Sequence, residues 1–372
     1  MDVYLVDALR TPRAKARESG GLHSYRPVEL IDALVKELQA RHGELRAQDM
    51  LLGCATQSGD QGTNVARLAA LWSGLGDEVS GLTLNRFCTS GLDAIGLAAG
   101  KLGLGDDVIL AGGVEMPSRV PMFSDEGAWS KDSKVAERTR FVHMGVAADL
   151  LATEHSISRE ELDAYALRSQ ERAAKTSAHP SRISVGECAS DETPRPNTNL
   201  ASLALLTPAY GALDGPVRDA RHTIASSPAL ADGASLCLLA TRAACEANGW
   251  TTKARLRSYA SLAVDPLRML HGNPKASRLA LERAGLNVSD VDLWEVNESF
   301  AVVPLLFERE LNVQKGLNIH GGAIALGHPL GATGGVLTST LVDALRDGDK
   351  TIGVVSICGG AGVATALVWE RI

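Results

Sequence analysis

A plan of short apolar strands alternating with helical segments runs through this chain twice, and that repetition constrains the fold more than any other feature. In the first pass Val3 to Leu9, Leu51 to Ala55, Leu82 to Phe87, Val108 to Val114 and Leu236 to Thr241 have the length and β-rich content of buried strands. Helical patterns such as Pro27 to Arg41 and Gly91 to Leu104 lie between them. The second pass sets strands near Ala254 to Val264, Leu293 to Val296, Leu317 to His320, Ile352 to Ile357 and Val363 to Trp369, with helices at Pro274 to Ala284 and Gly331 to Arg346. Strands that alternate with helices predict an α/β protein whose sheets are covered by helices. The 372 residues are enough for two core-bearing units. With 37 glycines and only 4% aromatic residues, closely packed helices on sheets suit this chain better than a sandwich filled with large rings.

Glu115 to His222 breaks the pattern. Ser158 followed by Glu161 is a capping box that opens a helix over about Arg159 to Ala174. Pro194 to Asn199 and Gly211 to Arg221 read as loops. The expected division is therefore a first half, 1–114 with 223–248, an inserted helical and loop region, 115–222, that covers a cleft, and a second half, 249–372.

Bulk properties narrow the function. A net charge of −7 with scattered Lys and Arg argues against nucleic acid as a partner, because phosphate-backbone binding needs a concentrated basic surface. The N-terminal residues run straight into a strand pattern without a signal-peptide profile, and no segment supplies the roughly 20 apolar residues of a membrane span. A cytoplasmic protein is expected. The six cysteines, Cys54, Cys88, Cys188, Cys237, Cys245 and Cys358, form no Cys-x-x-Cys pair and no cluster with zinc spacing, so neither a metal site nor a disulfide framework is expected.

Four segments carry chemistry. Asn85-Arg86-Phe87-Cys88-Thr89-Ser90-Gly91 passes from strand to helix, which places Cys88 at a first helical turn, where the dipole would lower its thiol pKa. The alternative is a buried packing cysteine. Gly327-His328-Pro329-Leu330-Gly331 sets an imidazole in a constrained turn, able to take a proton from a thiol or simply to bond the backbone. Cys358-Gly359-Gly360-Ala361-Gly362 ends a strand with a second cysteine, and its glycines let main-chain N–H groups approach a carbonyl oxygen. Asn297-Glu298-Ser299-Phe300 supplies an amide that polarises a carbonyl or holds a water without titrating, beside a carboxylate that orients a neighbour. Each has a bland reading; their combination does not.

Together and in this order the four segments resemble the thiolase family. The likeness extends from Arg10-Thr11-Pro12 through Gly112-Gly113-Val114-Glu115-Met116, His143-Met144-Gly145 and Ser169-Gln170 to the last strand. The resemblance implies a five-layered α/β/α/β/α fold of duplicated halves with an inserted loop domain, assembled as a homodimer or homotetramer. It implies an acyltransferase in which Cys88 carries the acyl group, His328 activates it and Cys358 is the acid and base at carbon. Asn297, holding a water, joins His328 in one oxyanion hole, and the N–H groups of Cys88 and Gly360 form another. Coenzyme A is expected as substrate and product rather than as a tightly bound cofactor. The family pattern sets His143 and Met144 near the thioester, Arg195 towards the adenine nucleotide, Tyr210 beside the pantetheine and Met269 on the pocket wall.

Two positions depart from the pattern: Pro228 lies where a serine contacts coenzyme A, and Ser299 stands where alanine is usual. The segment Glu115 to His143 is also shorter than in biosynthetic thiolases, which bears on acyl chain length. The competing readings are a ketoacyl-synthase-like condensing enzyme, which pairs cysteine with two histidines or with His and Asn, and a thiolase-like acyl-CoA or lipid-binding protein that has lost catalytic residues. Cys358 and the Asn-Glu-x-Phe block favour the thiolase.

Overall fold

The two passes seen in the sequence fold into one pairing scheme used twice. The computed structural model describes residues 3–176, 179–213, 215–217 and 219–372. Its strands are β1 (Val3–Arg10), β2 (Ala14–Lys15), β3 (Asp49–Gly53), β4 (Ser80–Leu84), β5 (Val108–Glu115), β6 (Ala231–Thr241), β7 (Ala254–Ala263), β8 (Leu293–Val296), β9 (Ile352–Cys358) and β10 (Val363–Arg371). In the first half β3 lies parallel to β4 and β5, β5 is antiparallel to β6, and β6 is antiparallel to β1. In the second half β9 lies parallel to β8 and antiparallel to β10, which is antiparallel to β7. The equivalent strands β1 and β7 join the halves through Tyr4 opposite Arg255 and Leu5 opposite Ala254.

The helices make three further layers. Thr333–Asp347 is buried along its whole length as far as Leu345, as expected of a helix enclosed on every side. With Ser90–Leu102 it fills the space between the two halves, against β1, β5, β6 and β9. Small residues permit this approach: a Cβ on Gly331, just ahead of Thr333–Asp347, would stand 2.7 Å from the Cα of Cys54. Pro27–His42 and Val65–Trp72 cover the outer face of the first half, and Asn273–Ala284 with Val302–Leu311 cover that of the second. This is the α/β/α/β/α order.

The capping box at Ser158 is formed, with Glu161 N–H donating to Ser158 Oγ at 3.2 Å and Ser158 N–H to Glu161 Oε2 at 2.9 Å, and the helix runs Arg159–Lys175. Leu151, Leu162, Tyr165 and Leu203 of the 115–222 region share a core with Trp294 and Phe307, so that region rests on the second half.

One expected strand is absent. Leu317 to His320 makes a single bridge, Leu317 to Trp294. Asn318 adopts a left-handed φ of 46°, and its side chain accepts from Val296 N–H at 2.8 Å and donates to Val296 O at 2.9 Å. A side chain has taken over the ladder bonds that a strand backbone would make. Among the described residues no helix is long and apolar enough to cross a membrane.

Candidate active site

Cys88 sits in a turn that both halves hold. Asn85 Oδ1 accepts from Phe87 N–H at 2.7 Å, which supports the left-handed φ of 52° at Phe87. Asp93, fully buried, accepts from Arg86 at 2.5 Å, Thr89 Oγ1 at 2.6 Å and Tyr259 OH at 2.6 Å, and Thr365 Oγ1 of β10 reaches it at 3.1 Å. The helix begins at Ser90 with Thr89 as its cap, so Cys88 stands ahead of the first turn rather than in it. The expected lowering of its pKa is overturned. Burial, the neighbouring Cys358 and Glu115 push the Cys88 thiol up to about 12, because a thiolate loses more hydration there than the helix start returns.

His328 follows Gly327, whose φ of +91° and proximity to Ala231, 2.7 Å from where a Cβ would stand, leave room only for glycine. The turn is fixed by His328 N–H donating to Ala229 O at 2.8 Å. Thr333 Oγ1 donates to Pro329 O at 3.2 Å and therefore accepts from His328 Nδ1 at 2.8 Å. Nε2 is left as the acceptor, buried and with no partner among the described residues. Burial, reinforced by Arg13, pushes this imidazole down to about 4, so it is a neutral base at physiological pH.

Two buried carboxylates fix the loops on either side. Glu298 accepts from Ser169 Oγ at 2.7 Å, Tyr165 OH at 2.9 Å and Ile324 N–H at 3.1 Å, tying down the run that leads to His328. Glu115 accepts from Ala55 N–H at 2.8 Å, Thr56 N–H at 3.0 Å, Gln61 Nε2 at 2.9 Å and Gly331 N–H at 2.9 Å, stitching the first half to the turn after His328.

Cys358 ends β9 with its Sγ 3.5 Å from Ser299 Oγ. Burial pushes its thiol up to about 11, against the opposing effect of Ser299 and Asn273. Asn297 Nδ2 donates to the same Ser299 Oγ at 2.9 Å. Asn297 thus spends one amide N–H on a hydroxyl of the chain.

These residues converge on one cavity of about 280 Å³, lined by Cys88, His328 and Cys358 together with His143, Met144 and Tyr210. A second, smaller cavity of about 100 Å³ shares Cys88, Met122, Met144 and Leu330 and adds Gly360, Phe87 and Trp129. Arg195 lines a separate open cleft of about 390 Å³ with Gln170, Asn197 and Ser227. Asn297 reaches the first cavity only through Ser299. Met269 does not stand on a pocket wall: it is fully buried in the core of the second half, and its neighbour Leu270 lines the cavity instead. At the departure near Pro228, Pro228 lines the cavity, and Ser227 accepts from Tyr210 OH at 2.9 Å.

The sequence matches the family model described as thiolase, N-terminal domain, over residues 3–243, and that described as thiolase, C-terminal domain, over residues 250–371. The chain belongs to the thiolase family. It is similar to a protein of Marinobacter nauticus named 3-ketoacyl-CoA thiolase, 37% identical over 395 residues covering 100% of this chain and 98% of the other. A protein of the same name from Colwellia psychrerythraea is 35% identical over the full length of both chains. The crystal structure of the Bacillus anthracis acetyl-CoA acetyltransferase superposes with a TM-score of 0.86 at 30% identity, covering 100% of this chain and 99% of that one. As a thiolase the chain is an acyltransferase with the thiolase fold, and the two-halved pairing described above is that fold.

The sequence pointed to the cysteines, the histidine and the asparagine of this thiolase, and to Ser299 only as a departure from the family pattern, but not to Thr333 or Asn273, which touch them. Thr333 lies five residues after His328 at a helix start, the one local signal available. Glu115 was not singled out as a site residue, and its local signal is a lone charge closing an otherwise apolar strand.

Proposed function

We propose that this thiolase cleaves a 3-ketoacyl-CoA into acetyl-CoA and a shortened acyl-CoA, or runs the reverse condensation, through an acyl group carried on Cys88. The observation that carries this reading is the sharing of one cavity by two thiols and an imidazole whose Nε2 has no other partner. Cys88 Sγ attacks the 3-keto carbon as its proton passes to His328 Nε2. The bond between the second and third carbons then breaks, its electron pair leaves as the enolate of acetyl-CoA, and Cys358 gives its proton to that carbon. Coenzyme A next yields its thiol proton to the Cys358 thiolate and attacks the thioester, and Cys88 departs with the proton returned by His328. Two cysteines are needed because one sulfur is occupied by the acyl group while a proton moves at carbon.

The N–H groups of Cys88 and Gly360 form one oxyanion hole, and His328 with the Asn297 and Ser299 pair faces the other. His143, Met144 and Tyr210 flank the pantetheine arm, and Arg195 faces the nucleotide across the open cleft. The smaller cavity takes the acyl chain. At about 100 Å³ it is below the ~150 Å³ that admits a benzene ring, which favours an extension of a few carbons. Trp129 closes it by packing on Phe87 at 5.1 Å between centroids.

Each step uses the chain's own groups and coenzyme A. The proposed division is in three parts, at 1–114 with 223–248, 115–222 and 249–372, and the proposed location is cytoplasmic. A second copy of the chain is proposed to cover the edge strand β4 and the helix Val65–Trp72 beside it, where Leu82 is 45% and Trp72 53% exposed. Coenzyme A-dependent consumption of a 3-ketoacyl-CoA series tests the reading: activity should peak at short chains and move to longer ones in Trp129→Ala. No thiolysis of any member would refute it.

A further inference from the structure

We propose that the Ser299 hydroxyl is itself a catalytic hydrogen-bond donor to the thioester oxygen of the acetyl unit worked on by Cys358. This rests on the thiolase reading and adds a residue to it. Ser299 is only 5% exposed, yet it lines the cavity shared by Cys88, His328 and Cys358. Its backbone N–H donates to Asn297 O at 2.9 Å, which pins the side chain in place. Two groups then donate to its oxygen: Asn297 Nδ2 at 2.9 Å and the Cys358 thiol at 3.5 Å.

A hydroxyl has two lone pairs and one proton. When Cys358 is a thiolate the hydroxyl proton faces its Sγ, 3.5 Å away; while Cys358 carries its proton both lone pairs are engaged, and among the described residues no acceptor of the chain receives the Ser299 proton. The remaining direction is the cavity. A thioester carbonyl placed for chemistry at Cys358 supplies an acceptor there. When the Cys358 thiolate removes a proton from the acetyl α-carbon, the C–H electron pair forms the carbon–carbon double bond and the carbonyl pair moves onto oxygen. As Cys358 takes that proton it becomes a thiol again and donates to Ser299 Oγ, and the Ser299 proton turns from the sulfur to the developing negative charge. The bond it receives from Asn297 polarises its own O–H and makes it a stronger donor. Only the hydroxyl proton turns, because the oxygen is already fixed by the fold, and small reorganisation when charge appears is the condition for an effective oxyanion group.

The test uses the full-length enzyme with Ser299→Val, Ser299→Ala and Ser299→Thr. Two quantities are read: acetylation of Cys88 by acetyl-CoA, from intact mass, and exchange of the acetyl α-hydrogens with deuterated solvent. Each variant should still take up one acetyl group on Cys88, which reports an intact fold and an intact nucleophile. Exchange should fall by about 10²–10³-fold in Ser299→Val, the loss typical of one oxyanion donor. It should fall less in Ser299→Ala, whose smaller side chain admits water, and stay near wild type in Ser299→Thr, which keeps the hydroxyl. Wild-type exchange in both Ser299→Val and Ser299→Ala, or a Ser299→Thr as slow as Ser299→Val, would overturn the assignment. Failure of the wild type to become acetylated would instead overturn the thiolase reading, and this proposal with it.

Discussion

His328 Nδ1 lies 2.8 Å from Thr333 Oγ1, and because that hydroxyl gives its proton to Pro329 O, the imidazole is held with Nδ1 protonated and Nε2 bare towards Cys88 and Cys358. One threonine at a helix start therefore fixes both the tautomer and the orientation of the base. Removing it should disturb catalysis more than folding.

Thr333→Val keeps the shape of the side chain and deletes the acceptor. A hydrogen bond of this kind contributes about 0.5–1.5 kcal/mol, so kcat/KM for thiolysis should fall by about two- to tenfold. Thr333→Ser should restore most of it. Steady-state kinetics of the two variants decide the matter, and an unaffected Thr333→Val would mean that the ring is held by packing alone.

The pKa shifts of the catalytic pair make opposite predictions for two experiments. Because burial holds His328 neutral down to about pH 4, kcat/KM should show no acid limb between pH 5 and 7. Because the resting Cys88 thiol is pushed up to about 12, alkylation by iodoacetamide, which needs the thiolate, should accelerate about tenfold per pH unit from pH 6 to 9 without a plateau. A plateau near neutrality would show a resting thiolate paired with an imidazolium.

Glu115 gathers four donors from three separate stretches of chain. Glu115→Ala leaves buried N–H groups of Ala55, Thr56 and Gly331 without an acceptor, and should cost about 2–4 kcal/mol. Urea denaturation followed by circular dichroism measures this. A midpoint unchanged from wild type would mean that water replaces the carboxylate at no cost.

Acid sensitivity should follow from the buried imidazoles. His328 and His179 are both pushed down to about 4, His179 by burial and then by His320. Their folded values lie below the unfolded one near 6.5, so the unfolded chain binds protons that the folded chain does not. Stability from these groups is full above about pH 6.5 and is lost as pH falls towards 4. His179→Asn combined with His328→Asn should lose less stability than wild type between pH 7 and pH 5 in urea titrations; an equal loss would assign acid sensitivity to other groups.

The strands and both turns that carry sulfur were legible in the sequence because their signals are local: apolar runs of the right length, ended by Gly-rich or Asn-led turns. The strand expected at Leu317 to His320 was not, because its apolar residues say nothing about the Asn318 side chain that replaces the ladder. The direction of the Cys88 shift was missed for a related reason. A helix start can be read from neighbouring residues, whereas burial against Cys358 and Glu115, hundreds and tens of positions away, cannot. Thr333, Ser299 and Asn273 are contacts made only after folding, and Met269 differs from the pocket-lining Leu270 by one position on a short helical turn, below what a pattern can resolve.

The account depends on Cys88 as the carrier of the acyl group, and intact-mass analysis after mixing with acetyl-CoA tests that most directly. The wild-type protein should gain one acetyl group and lose it on addition of free coenzyme A, while Cys88→Ala should gain none and Cys358→Ala should still be acetylated. Acetylation of Cys88→Ala to the same extent as the wild type would contradict the account.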